Sequence, residues 1–152
     1  GFPFHHIHAV GKGGWPAMES ALQQRGLNDC PALDVRQYIY NMATVMRGAD
    51  LVICRAGAST ISELTALGIP AIMVPSPYVT NNHQEKNARL LEAHGGAEVL
   101  LEREANGAAL YRAAADILRS PDKQTRMKQG MLSLGIPDAT ERIYETVMAL
   151  VK

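Results

Sequence analysis

The chain has 152 residues and a mass of 16.5 kDa, enough for one ordinary globular domain. Apolar residues make up 47% and charged residues 20%, which excludes a disordered chain, and no apolar run approaches the roughly 20 residues that a membrane span requires. Fifteen Lys and Arg balance fifteen Asp and Glu, so the clustered positive charge of a nucleic-acid-binding module is missing. Cys30 and Cys54 are isolated, with neither a CxxC pair nor metal-like spacing, and two lone thiols suit a reducing compartment. No secretory n-region and h-region opens the sequence, so a cytoplasmic location is the expectation.

The chain opens on an apolar-rich strand, Ile7–Val10, that runs straight into Gly11-Lys12-Gly13-Gly14, with no initiator Met and no preceding element. It reads as an excised part of a longer protein. Further short apolar runs follow: a weaker one around Leu33–Val35, then Leu51–Cys54, Ala71–Val74 and Ala97–Leu101. Continuous runs of this length are the pattern of strands buried on both faces, as in parallel sheets. Between them lie segments of helical period at about 16–25, 41–48, 58–67, 83–94 and 105–118. The alternation predicts βαβ units and an α/β, doubly wound parallel sheet. Ser120-Pro121 then reads as an N-cap followed by proline in the first turn, and Pro137-Asp138 opens a last helix. On that helix Ile143, Val147, Leu150 and Val151 form one apolar stripe. No repeat, low-complexity segment or linker interrupts the chain, so residues 1–152 read as one domain.

The most informative stretch runs from Ala49 to Leu64. A strand ends at Cys54, a small-residue turn follows, and a helix begins near Ala58. In open parallel sheets ligands sit beyond the carboxyl ends of the strands, where free N–H groups at helix N-termini attract phosphate. Gly57 and Ala58 keep side chains clear, and Ser59 and Thr60 add hydroxyl donors, which suits a diphosphate. On a helix Ala58, Ile61, Leu64 and Thr65 share the face expected to pack on the sheet, whereas Glu63 lies about 40° from Ser59, one turn along. Its two carboxylate oxygens could accept from a ribose diol. Thr60-x-x-Glu63 equally fits a capping box, and both readings stay open.

After the next strand, Pro75 to Asn82 form a turn-rich loop before a second helix. Gln84 shares a face with Ala88 and Leu91 and is expected to point into the crevice, with simple capping as the alternative for it and for His83. His5, His6 and His8 lack a further ligand at metal spacing, so no metal is expected. Gly11-Lys12-Gly13-Gly14 lacks the complete phosphate-loop pattern. Nothing nominates a general base, and no catalytic residue is assigned to this chain.

The string from Ala49 to Glu63, followed by Thr65–Ala71 and by His83-Gln84-x-x-Asn87-Ala88-Arg89, resembles the C-terminal lobe of the MurG family. Flanking segments agree: His8-x-x-Gly11-Lys12, Tyr38-Ile39-x-x-Met42, Met127 and Leu134–Ala139. The resemblance spans nearly the whole chain and implies the nucleotide-sugar lobe of a GT-B glycosyltransferase. The family transfers N-acetylglucosamine to the undecaprenyl-linked muramyl-pentapeptide, turning lipid I into lipid II in peptidoglycan synthesis. It implies a uracil contact at the backbone of Ile39, phosphate contacts at Gly57, Ala58, Ser59 and Thr60, and ribose binding by Glu63. The family's pair of sugar-contacting glutamines falls on His83 and Gln84, of which Gln84 alone keeps the residue type. No cofactor is implied beyond the donor substrate, UDP-N-acetylglucosamine. The resemblance also implies that the lobe's first strand with its glycine-rich loop, and an N-terminal lobe that receives the lipid-linked acceptor, lie outside this chain. The chain alone is then expected to be inactive, and the whole protein to sit peripherally at the inner face of the plasma membrane. Two other readings are a non-catalytic UDP-sugar-binding subunit that needs a partner chain and, ranked lower, a UDP-sugar epimerase.

Overall fold

A computed structural model of the chain describes residues 3–151. Their contacts group into two compact units, Gly1–Val45 and Met46–Lys152.

The first unit is a single βαβ arrangement. Strand β1 (His6–Ala9) leads through Gly11, at φ 81°, into helix α1 (Trp15–Gln24), and β2 (Leu33–Arg36) returns parallel to β1 with His6 opposite Leu33 and Ala9 opposite Arg36. Pro16 sits in the first turn of α1, where its missing N–H costs nothing. The division between the units falls within helix α2 (Met42–Arg47).

The second unit is built on a parallel sheet of β3 (Val52–Cys54), β4 (Ala71–Met73) and β5 (Ala97–Val99), with β4 in the middle. Helix α3 (Ala58–Leu67) connects β3 to β4, and α4 (His83–Ala93) connects β4 to β5. Helices α5 (Gly107–Leu118), α6 (Pro121–Leu132) and α7 (Ala139–Leu150) close the chain. The expectation for a strand buried on both faces is met in β4, where Ala71, Ile72 and Met73 are all inaccessible. Ala71 and Met73 pack with Leu64 of α3, Ala88 and Leu91 of α4 and Met131 of α6. Ile72 faces the other way, into Ile117 of α5 and Met127 of α6. Helices therefore cover both faces of this sheet, and the α/β reading with parallel strands holds. Ile53 departs from it: paired with Ile72 in register, it remains 43% exposed, because the cluster over that face centres on Ile72 and stops short of β3.

Local capping follows the sequence where the cap lies in the string. Ser120 accepts from the Lys123 N–H through its hydroxyl at 3.3 Å and opens α6 with Pro121 in the first turn. Asn106 does the same for α5, accepting from the Ala109 N–H at 2.9 Å. Asp138 stands at the N-cap of α7 but its carboxylate accepts from Arg142 instead, at 2.9 Å. The apolar stripe of α7 is exposed: Ile143 by 65%, Leu150 by 82%.

Candidate functional site

The register of β3 against β4 fixes where α3 starts. Cys54 is the last paired residue, opposite Met73, and Arg55, Ala56 and Gly57 turn the chain into the helix. Gly57 is the N-cap, extended at φ −73° and ψ 146°, with no side chain capping the helix. The first helical bond runs from the Ile61 N–H to the Gly57 carbonyl at 3.0 Å. The amides of Ala58, Ser59 and Thr60 therefore precede the ladder and have no partner among the described residues. Space is open above Gly57, where an added Cβ would meet nothing within 4 Å.

This geometry removes the capping box at Thr60. A capping box needs Thr at the N-cap, but Thr60 is the third helical residue and Glu63 the sixth. The Glu63 side chain is exposed and makes no hydrogen bond or ion pair among the described residues. The packing face is also narrower than its period suggested. Leu64 and Thr65 are buried and Ile61 packs on the core, whereas Ala58, the first helical residue, is exposed. Thr65 satisfies its buried hydroxyl by donating to the Ile61 carbonyl at 2.9 Å.

The second candidate segment lies at the end of the neighbouring strand. After β4 the loop passes through a short 3₁₀ turn, Thr80–Asn82, in which Asn81 and Asn82 both adopt left-handed conformations, at φ 55° and 49°. Asparagine tolerates this region better than most residues, which explains the pair at this bend. His83 opens α4 with its ring Nδ1 2.9 Å from the Thr80 carbonyl. Since a carbonyl can only accept, Nδ1 carries the proton. Gln84 is half-buried, and its Oε1 accepts from the Ser76 N–H at 2.9 Å. That bond leaves the side-chain NH₂ of Gln84 as a donor. One turn along α4, Asn87 donates to the Ala56 carbonyl at 3.4 Å. This contact brings α4 against the turn that presents α3, so both candidate segments meet at the carboxyl edge of one sheet. Arg55 ties the same edge: its Nη1 donates to the Val74 carbonyl at 3.1 Å and to Glu102 Oε2 at 2.6 Å. Arg55 and Asn87 stand in the strings that carry the resemblance, but nothing in the sequence pointed to these long-range contacts, and Glu102 carried no signal at all.

Ile39 follows β2 in the first unit and is 7% exposed. Its neighbours Tyr38 and Tyr40 are exposed and meet edge to face, ring centroids 4.9 Å apart. The rings of His6 and His8 stack at 5.6 Å, and among the described residues no three His, Cys, Asp or Glu converge as metal ligands. An open groove of about 610 Å³ lies between α6 and the entry to β5, lined by His94, Lys123 and Arg126. It contains none of the candidate residues, and its Lys123 is already held by Glu98 and Asp116. Among the described residues no helix is long and apolar enough to cross a membrane.

Comparison with known proteins gives consistent results. The chain is 44% identical over 149 residues to a UDP-N-acetylglucosamine--N-acetylmuramyl-(pentapeptide) pyrophosphoryl-undecaprenol N-acetylglucosamine transferase of Acetivibrio thermocellus, covering 98% of this chain and 40% of that protein. A Bacillus cereus protein of the same description is 42% identical over 146 residues, covering 96% of this chain and 40% of the relative. The chain thus spans about two fifths of the length of these relatives. Among solved structures, Acinetobacter baumannii MurG superposes with a TM-score of 0.79 at 27% identity, over 94% of this chain and 40% of that one. The fold is that of the C-terminal lobe of a GT-B glycosyltransferase. With the family model of the glycosyltransferase family 28 C-terminal domain matching residues 1–143, the chain belongs to that family.

Proposed function

We propose that this chain is the UDP-N-acetylglucosamine-binding part of an inverting N-acetylglucosaminyltransferase that forms lipid II from lipid I in peptidoglycan synthesis. The observation that carries the reading is the entrance of α3. Three consecutive amides there lack partners, the N-cap has no side chain, and the helix dipole adds partial positive charge. A diphosphate supplies the acceptors that such a terminus lacks. The Ser59 and Thr60 hydroxyls add donors, and the unpartnered Glu63 carboxylate, one turn along, takes the ribose hydroxyls. Gln84 offers its NH₂ to the donor sugar while its oxygen is anchored on Ser76. His83, held through Nδ1 at the Thr80 carbonyl, presents Nε2 in the place of a second glutamine. The family resemblance assigns a uracil contact to the backbone of Ile39, which belongs to the first unit. No cofactor is needed for these roles. A base for the acceptor hydroxyl and the lipid-linked acceptor site belong to the remaining part of the protein, which works at the inner face of the plasma membrane.

The test is calorimetric titration with UDP, UDP-N-acetylglucosamine and ADP. UDP is expected to bind at least about tenfold tighter than ADP, the difference that one lost set of base contacts of about 1.4 kcal/mol makes. Equal affinity for the two nucleotides refutes the uracil assignment, and no binding of any diphosphate refutes the α3 seat.

A further inference from the structure

The proposed diphosphate seat is only as well placed as the turn Arg55–Ala56–Gly57 that carries it. Three contacts reach this turn from outside. The Arg55 guanidinium spans the carboxyl ends of all three strands of its sheet, from its own position after β3, to the Val74 carbonyl after β4, to Glu102 after β5. Ala56 is inaccessible to solvent, and its carbonyl accepts from Asn87 of α4. The ion pair stands apart from most others in the chain. Arg89 with Glu85 and Glu92, Arg103 with Glu104, and Arg142 with Asp138 join residues within one or two turns of each other, whereas Arg55 and Glu102 are 47 positions apart. The guanidinium in turn holds the Glu102 carboxyl below its ordinary value, so Glu102 is ionised at neutral pH.

We propose that Glu102 is a positioning residue for diphosphate binding: acting through Arg55, it fixes the β3–α3 turn so that the amides of Ala58, Ser59 and Thr60 stay aimed at one point. Glu102 itself touches no ligand. The inference rests on the reading of α3 as the diphosphate seat. Without the carboxylate, the half-exposed guanidinium keeps only the Val74 carbonyl, and a single bond leaves its long side chain free to rotate. The turn then samples orientations in which the three amides no longer converge. A freed guanidinium could instead reach a phosphate itself, which gives the opposite sign and makes the test two-sided.

Glu102→Ala and Glu102→Gln are compared with the unaltered chain by titration with UDP and with uridine, by amide hydrogen exchange and by melting temperature. Glu102→Ala is expected to weaken UDP by about fivefold, the upper range for an exposed ion pair, while uridine affinity stays the same. Glu102→Gln, which keeps a neutral acceptor for Arg55, should fall between. Exchange should accelerate at the Ile61 amide, which bonds the Gly57 carbonyl at the start of α3, and not across the sheet, with melting shifted by no more than about 2 °C. UDP affinity that is unchanged or higher in Glu102→Ala overturns the proposal, as does an equal loss for uridine and UDP or a global rise in exchange. If the unaltered chain binds no UDP, the α3 seat itself falls and this inference falls with it. A chain that binds UDP but ignores the substitution refutes the inference alone.

Discussion

Replacing Glu63 by glutamine separates two roles that the string Thr60-x-x-Glu63 leaves entangled. In the folded chain Glu63 is exposed, sits six residues into α3 and has no partner among the described residues. Glutamine is isosteric and a comparable helix former, so the change removes no native contact. Stability should move by no more than about 0.5 kcal/mol, or about 2 °C in melting temperature for a chain of this size. Binding should respond far more. A ribose diol presents two O–H donors, and a carboxylate accepts both, whereas an amide replaces one acceptor by a donor facing a hydroxyl. Hydrogen bonds to charged groups contribute about 1.5–3 kcal/mol against about 0.5–1.5 for neutral ones, so UDP should bind about tenfold or more weakly. The assay is titration of both proteins with UDP and with 2′-deoxy-UDP. If Glu63 holds the diol, the unaltered chain discriminates against the deoxy ligand and Glu63→Gln has lost most of that discrimination, since the two deletions remove the same bond. Unchanged UDP affinity, or a loss that is the same for both ligands, refutes the assignment.

Two further outcomes follow from the same unit. Gly57→Ala should leave stability nearly unchanged, since the extended backbone accepts a side chain, the added Cβ meets open space, and the reduced entropy of the unfolded chain offsets the poorer N-cap; UDP affinity should fall by about tenfold because the methyl occupies the approach to the free amides, and unaltered affinity would place the diphosphate elsewhere. Burial pushes the Cys54 thiol up from 9.0 to about 11, so between those values the unfolded chain ionises it and the folded chain does not. Stability against urea should therefore decline as pH rises from about 9 to 11, less steeply in Cys54→Ala, and at pH 8 iodoacetamide should modify Cys54 far more slowly in the folded chain than in the urea-unfolded chain. Parallel declines in the two proteins, or equal labelling, would show that the thiol is not held neutral.

What the sequence revealed, and what it hid, divides by the distance over which each contact acts. Ala71–Met73 was legible as a strand because burial on both faces writes an unbroken apolar run. The start of α6 was legible because Ser120 caps an amide three positions away. The free entrance of α3 was legible for the same reason: Gly57, Ala58, Ser59 and Thr60 are consecutive in the string. Whether Thr60 and Glu63 form a capping box was not, because it depends on where the helix begins, and that follows the pairing of Cys54 with Met73, 19 positions on. Nor does any period show that Ile53 stays partly exposed, since its alternation with Val52 and Cys54 is that of a covered strand and only the extent of the cluster around Ile72 decides.

The same division bears on how far a motif alone can be trusted. The groups proposed to meet the diphosphate are contiguous, but the contacts that hold them in place come from Val74, Asn87 and Glu102, 19, 31 and 47 positions from their partners. A short helix entrance carries free amides in many folds, and their worth as an anion seat depends on how little they move. Here the turn before them is tied by the Ala56 carbonyl, which accepts from Asn87, and by one guanidinium that reaches the ends of two strands besides its own. A chain that keeps Gly57 to Glu63 but cannot supply an acceptor opposite Arg55 should therefore retain the fold, since the pair is exposed and contributes little to stability, while losing affinity for the diphosphate. On the proposed reading the string specifies which groups are offered to the diphosphate, and the sheet's carboxyl edge specifies how steadily they are offered.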